Sequence, residues 1–164
     1  MFERKKNRLA PNLYQGNYWY SITLCVQNKE HIFGQVKGNT VILNDQGLII
    51  EKRILVLQDF YNIHIDQYIV MPNHLHMIIG DIDKPLSQII KGFKSFSYKE
   101  IRAFATSCDG DQEVPATVDL INQYNTIWQK SFYDHIIRDE KDLQRIKQYI
   151  YDNPIEWYLD FNKN

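Results

Sequence analysis

Apolar and polar positions alternate through "NYWYSITLCVQ", residues 17 to 27, with Tyr20, Ile22, Leu24 and Val26 set against Trp19, Ser21, Thr23 and Cys25. A period of two predicts a half-buried strand. In "FGQVKGNTVILN" two short alternating pieces flank Gly38-Asn39, which predicts a small hairpin, and Asn44 with Asp45 supplies a helix start. The helix covers about 45 to 60, with Leu48, Ile49, Ile54, Leu55 and Leu57 as its apolar stripe. "YNIHIDQYIVMP" then predicts a second strand ending at Pro72, and "NHLHMIIGD" a third, joined to it tightly enough to be its antiparallel neighbour.

From Pro85 to about Ala105, Leu86, Ile89, Ile90, Phe93, Ser97, Ile101 and Phe104 keep near-helical spacing. Gly110 and Pro115 interrupt the next stretch, and residues 106–126 are expected to form a long surface loop. "IWQKSFYDHIIR", 127 to 138, predicts a last strand, and "DEKDLQRIKQYIYDNP" a closing helix capped by Asp139 and stopped by Pro154. The order is strand, helix, strand, strand, helix, strand, helix. It predicts an α+β fold of the ferredoxin-like βαββαβ kind: one antiparallel sheet with helices on one face, plus a C-terminal helix. The other face of the sheet is expected to stand open.

The 164 residues fit a single domain, 1–164, and 44% hydrophobic with 13% aromatic content is that of a chain with a packed core. No run of about 18 apolar residues and no secretory leader is visible, so a cytoplasmic protein without membrane contact is expected. Cys25 and Cys108 have no CxxC spacing, which argues against a disulfide framework and a cysteine zinc site. The net charge is −1, so any affinity for nucleic acid must be local. Two basic clusters exist: Arg4, Lys5, Lys6 and Arg8 in an N-terminal arm (1–16), and Lys91, Lys94, Lys99 and Arg102 on the second helix. Each taken alone reads first as a solvated tail or helix face, and together they point weakly to nucleic acid.

Two histidines interrupt the apolar third strand. Strand alternation points His74, His76 and Ile78 one way and Leu75, Met77 and Ile79 the other, with the two histidine Cβ atoms about 7 Å apart. That spacing suits two imidazoles converging on one ion. It suits two unrelated surface histidines as well. On the closing helix Tyr149 and Asn153 stand four residues apart and share a face. Tyr149 also reads as an amphipathic rim residue, and Asn153 as a helix C-cap. His31, His64 and His135 have no such spacing and are expected to be structural.

"VMPNHLHMII" on a strand, "WQKSFYDHIIRDEKDL" entering the last helix and "YIYDNP" within it, in that order, resemble the single-tyrosine HUH transposases, in particular their REP-associated branch. The likeness runs from about 18 to 157. It implies that His74, His76 and Asn153 bind one divalent ion, Mg²⁺ or Mn²⁺, and that Tyr149 is the nucleophile. The implied activity is nicking and strand transfer of single-stranded DNA beside hairpins, REP-like or at insertion-sequence ends, through a 5′-phosphotyrosine. No GxxxxGK[ST] loop is present, as expected where one ester replaces another and no ATP is needed. Lys91, Ser95, Tyr98 and Arg102 align along the second helix and, with Lys94 and the N-terminal Arg4, Lys5, Lys6 and Arg8, are the expected DNA contacts. The family implies a monomer or a homodimer, associated with the nucleoid when on DNA. Two competing readings are a domesticated, non-cleaving binder of structured single-stranded nucleic acid and a hydrolytic metal phosphoesterase.

Overall fold

Strand β1 (Trp19–Cys25) carries the predicted alternation into three dimensions: Tyr20, Ile22 and Leu24 are fully buried, whereas Trp19, Ser21, Thr23 and Cys25 are half-buried on the opposite face. The structure is a computed structural model that describes residues 18–107 and 115–161. After β1 come the hairpin β2 (Gly34–Lys37) and β3 (Thr40–Leu43), helix α1 (Asp45–Tyr61), β4 (His64–Met71), β5 (His74–Gly80) and α2 (Leu86–Ser107). Helix α3 (Pro115–Tyr124), β6 (Tyr133–Ile137) and α4 (Glu140–Phe161) complete the order. The four main strands pair antiparallel in the order β4-β5-β1-β6. This is the split βαβ topology expected of an α+β, ferredoxin-like fold.

One face of the sheet is covered by α1 and α2. Ile50, Ile54 and Leu57 of α1 and Leu86, Ile89, Ile90, Phe93 and Ile101 of α2 pack with Tyr20, Ile22, Leu24, Leu75, Met77 and Ile79 into the main core. Asn44 caps α1 by accepting from the Gly47 N–H at 3.0 Å, as predicted. Leu48 and Leu55, expected in its apolar stripe, are exposed instead, because Ile50 takes the core position.

The other face is not open. Helix α4 lies across it, with Ile146 and Ile150 closing a second, smaller core over Ile78 together with Trp19, Ile69, Ile137 and Leu143. A slip in register between Ile65 and Gln67 leaves Asp66 as an extra residue, and its carboxylate pairs with Lys147 of α4 at 2.8 Å. Gln67 adds a hydrogen bond from its side chain to the Lys147 carbonyl. Asp139 caps α4 by accepting from the Asp142 N–H at 2.8 Å. Pro154 does not end the helix. It is buried inside α4, which continues to Phe161, so the burial of Pro154 and the packing of Trp157 against His31 and His74 outweigh the roughly 3 kcal/mol cost of an internal proline.

The expected loop over 106–126 is corrected in the same way. Helix α2 runs to Ser107, and 115–124 form α3, which buries Thr117 and Leu120 and packs Ile121 and Tyr124 at helical spacing. Thr117 donates to Gln46 of α1 at 2.6 Å. A proline suits the first position of a helix, so Pro115 starts this element. The last strand is shorter than predicted. Residues 127–132 run irregularly because Trp128 turns inward to pack on Phe33 and Phe93, its indole N–H bonding Ser97 at 3.0 Å. Among the described residues no helix is long and apolar enough to cross a membrane. The arm 1–16 with Arg4, Lys5, Lys6 and Arg8 lies outside the described residues.

Candidate active site

Antiparallel register sets what surrounds the histidine pair. His76 faces Thr23 across β1 and His74 faces Cys25. His74 and His76 project from the same face of β5, their rings edge to face with centroids 4.7 Å apart. Each is held by a hydrogen bond at Nδ1: His76 to the Thr23 hydroxyl at 2.8 Å, His74 to the Asn73 side-chain oxygen at 2.7 Å. Asn73 is itself oriented, because its amide nitrogen donates to the Lys29 carbonyl at 3.1 Å. Its oxygen is therefore turned to His74, an oxygen only accepts, and the His74 proton sits on Nδ1.

Both Nε2 atoms then aim at one residue of α4. Asn153 places its side-chain oxygen 3.3 Å from His74 Nε2 and its nitrogen 3.4 Å from His76 Nε2. Burial drives both imidazoles toward the neutral form, lowering the His74 pKa to about 4 and the His76 pKa to about 3. A neutral His74 with its proton on Nδ1 has a lone pair on Nε2, so Nε2 and the Asn153 oxygen face each other as two acceptors. A cation between them resolves that opposition. Two imidazole nitrogens and an amide oxygen, each imidazole fixed by a hydrogen bond behind it, are a fitting donor set for a divalent ion. Among the described residues no group of three His, Cys, Asp or Glu offers an alternative cluster.

Helix α4 supplies the rest at four-residue steps. Tyr149, one turn before Asn153, stands with its ring centroid 5.4 Å from that of His76 and is 48% exposed, so the phenol is both beside the imidazoles and open to a large substrate. Trp157, one turn after Asn153, lies 5.7 Å from His74 and 5.1 Å from His31. Asn153 is buried in mid-helix, which excludes the C-cap role. Tyr151 is 75% exposed and borders a different groove, with Thr40, Gln67 and Pro154.

The expected contacts on α2 do not join this site. Helix α2 is on the far face of the sheet. Lys91 and Arg102 are exposed there, Lys94 donates to the carbonyls of Gln129 and Ser131 at 2.8 Å each, and Tyr98 donates to Asn125 at 2.8 Å. Residues the spacing did not reveal do join it: Thr23, Asn73, Trp157 and His31. His135 is structural, as expected, pairing with Asp142 at 2.7 Å near the start of α4.

The family model described as "Transposase IS200 like" matches residues 14–153. An uncharacterized protein of Haemophilus influenzae is 32% identical over 170 residues, covering 96% of this chain and 91% of its own. A second protein of that organism, named as a candidate REP-associated tyrosine transposase, is 53% identical over 30 residues, 18% of this chain and 17% of its own. Among solved structures, a REP-associated tyrosine transposase bound to a REP hairpin superposes with a TM-score of 0.60 at 19% identity, covering 95% of this chain and 74% of the other. That likeness is one of fold. With a family model spanning residues 14–153, most of the chain, this chain belongs to the IS200-like transposases, a family of DNA transposition enzymes.

Proposed function

We propose that this protein nicks and rejoins single-stranded DNA beside hairpins, with Tyr149 as nucleophile and one Mg²⁺ or Mn²⁺ ion held by His74, His76 and Asn153. The observation that carries this reading is the placement of Asn153 between the two Nε2 atoms with the Tyr149 ring against His76. The ion, when bound, supplies Lewis-acid polarisation of the scissile phosphate. The rest falls to the chain. Tyr149 is exposed enough to meet a DNA backbone, and its helix is pinned to the sheet by Ile146, Ile150 and the Lys147–Asp66 pair, so the phenol is presented from a rigid support. Attack forms a bond between the Tyr149 oxygen and phosphorus and breaks the bond from phosphorus to the 3′ oxygen. The products are a 5′-phosphotyrosine and, after the leaving oxygen takes a proton, a free 3′-hydroxyl. A new 3′-hydroxyl reverses the step and seals the strand.

The REP hairpin bound to the solved transposase of similar fold supports a hairpin substrate.

The test is a gel for covalent adducts after incubation with single-stranded hairpin oligonucleotides and Mn²⁺. Wild-type protein is expected to form them, and Tyr149→Phe to form none while retaining hairpin binding. Adducts that persist in Tyr149→Phe and vanish in Tyr151→Phe move the nucleophile. Cleavage without any adduct points to hydrolysis, and binding without cleavage points to a domesticated binder.

A further inference from the structure

A cationic concavity of the described structure lies between α2 and residues 124–132, on the side of the sheet that α2 covers. A cavity of about 620 Å³ is lined by Ser87, Gln88, Lys91, Lys94, Lys130 and Phe132 among others. A second, of about 320 Å³, shares Lys94 and Lys130 with it and continues past Gln129 and Tyr124 to Gln27. The two adjoin at Lys94 and Lys130 and are taken together as one groove. Among the described residues no aspartate or glutamate lines either part, in a chain where acids outnumber lysines and arginines 20 to 19.

The groove ends at the catalytic end of the sheet. The Gln129 N–H donates to the Cys25 carbonyl at 2.9 Å and its side chain to the Val26 carbonyl at 3.2 Å, while Cys25 is the register partner of His74. Beyond Gln27 the chain makes a strained turn in which Asn28 and Lys29 both have positive φ, 55° and 57°. Two consecutive left-handed residues other than glycine persist only where neighbours hold them. Here Asn73 binds the Lys29 carbonyl and the Asn28 amide donates to the Tyr124 hydroxyl at 3.1 Å. The turn joins the groove to the histidines. Lys94 is held at the junction of the two parts by the Gln129 and Ser131 carbonyls.

From this continuity we infer that the groove is the track of the unpaired DNA strand that leads to the scissile phosphate. Lys91 and Lys130 contact phosphates, and Tyr124 offers its ring to a base. The inference deepens the strand-transfer reading above and rests on it for the direction of the strand toward Tyr149. Its occupant is single-stranded. A lysine-lined surface with a ring beside it is the pairing that binds unpaired strands, charge tracking the backbone and a ring meeting a base.

The experiment measures binding by fluorescence anisotropy, in EDTA so that no cleavage occurs. The probes are a fluorescein-labelled blunt DNA hairpin and the same hairpin carrying an oligo-dT extension on its 5′ or 3′ end. The extended hairpin on one of the two ends is expected to bind wild-type protein more tightly than the blunt one. Lys91→Gln with Lys130→Gln, both lining the groove, removes that advantage and lowers the slope of log K against log salt by about 1.4, about 0.7 for each phosphate contact on a single strand. Blunt-hairpin binding stays unchanged. Equal loss on the blunt hairpin, or no loss on either extension, overturns the inference. A second readout needs no variant: 4-thiothymidine in the extension cross-links wild-type protein within residues 124–132, and cross-links confined to other segments count against the groove. Because both readouts report binding, tight extension binding without adduct formation sinks the strand-transfer reading and leaves the groove standing.

Discussion

At the scale of single residues, the site depends on side chains that touch no substrate. Thr23 and Asn73 hydrogen-bond to Nδ1 of His76 and His74 and so turn both Nε2 atoms toward Asn153, where the proposed ion would bind. Thr23→Val keeps the shape and removes the hydroxyl, so the His76 ring loses its fixed tautomer. Mn²⁺ affinity, measured by titration calorimetry on the DNA-free protein, is expected to fall by about 10- to 100-fold, the usual effect of losing a partner behind a metal ligand. Unchanged affinity would show that β1 takes no part in orienting the ring. The pairings His74 with His76 and Tyr149 with Asn153 were legible in the sequence because each is set by a local period, two on a strand and four on a helix. Thr23 was not. It meets His76 from 53 residues away through strand register, and nothing within β1 marks it apart from its neighbours. His31 and Trp157 were hidden for the same reason, being brought together by the turn after β1 and by the continuation of α4 beyond Pro154.

At the scale of elements, α4 decides whether the site exists. It carries Tyr149 and Asn153, and its hold on the sheet is the small core around Ile78, separate from the main one. Ile78→Ala removes the residue that Ile146 and Ile150 cover. The expected cost is about 2–5 kcal/mol, read as a lowered urea midpoint, with adduct formation lost at temperatures where the main core remains folded. A variant as stable as wild type, or one that loses stability and keeps full adduct yield, would mean that something other than this core holds the helix in place. The sequence showed α4 as a helix and misplaced its end, since a proline rule reads local backbone geometry and the reward for continuing comes from tertiary packing of Trp157. Helix α3 is the opposite case. Thr117, Leu120, Ile121 and Tyr124 already stand at helical spacing, and the glycine and proline ahead of them suggested a loop where Pro115 in fact opens a helix.

At the scale of the whole molecule, a pair of neutral imidazoles enclosed between sheet and helix makes stability depend on pH in a defined window. In the unfolded chain both histidines titrate near their ordinary value of about 6.5. Burial lowers them to about 4 and about 3 in the folded protein, so between these limits the unfolded state binds more protons. Stability is therefore complete above the unfolded value and falls as pH drops from about 6.5 toward 4, the sense opposite to that of a histidine gaining an acidic partner. Asp142 contributes in a lower window. Its hydrogen bonds from Arg145 and His135 hold its pKa at about 2, so its share is lost only as pH falls below about 4. A melting series in EDTA should thus show Tm declining from pH 6.5 to 4 in the wild type, and declining much less when His74 and His76 are both replaced by Asn. Equal slopes in the two proteins would mean that the imidazoles are solvated and not enclosed by α4. With Mn²⁺ present the wild-type Tm should rise above pH 6 and converge on the EDTA curve near pH 4, since an ion that binds only the folded, deprotonated pair stabilises it by mass action and loses to protons as they fill the same lone pairs. The double variant has no such pair and should melt identically with and without the ion.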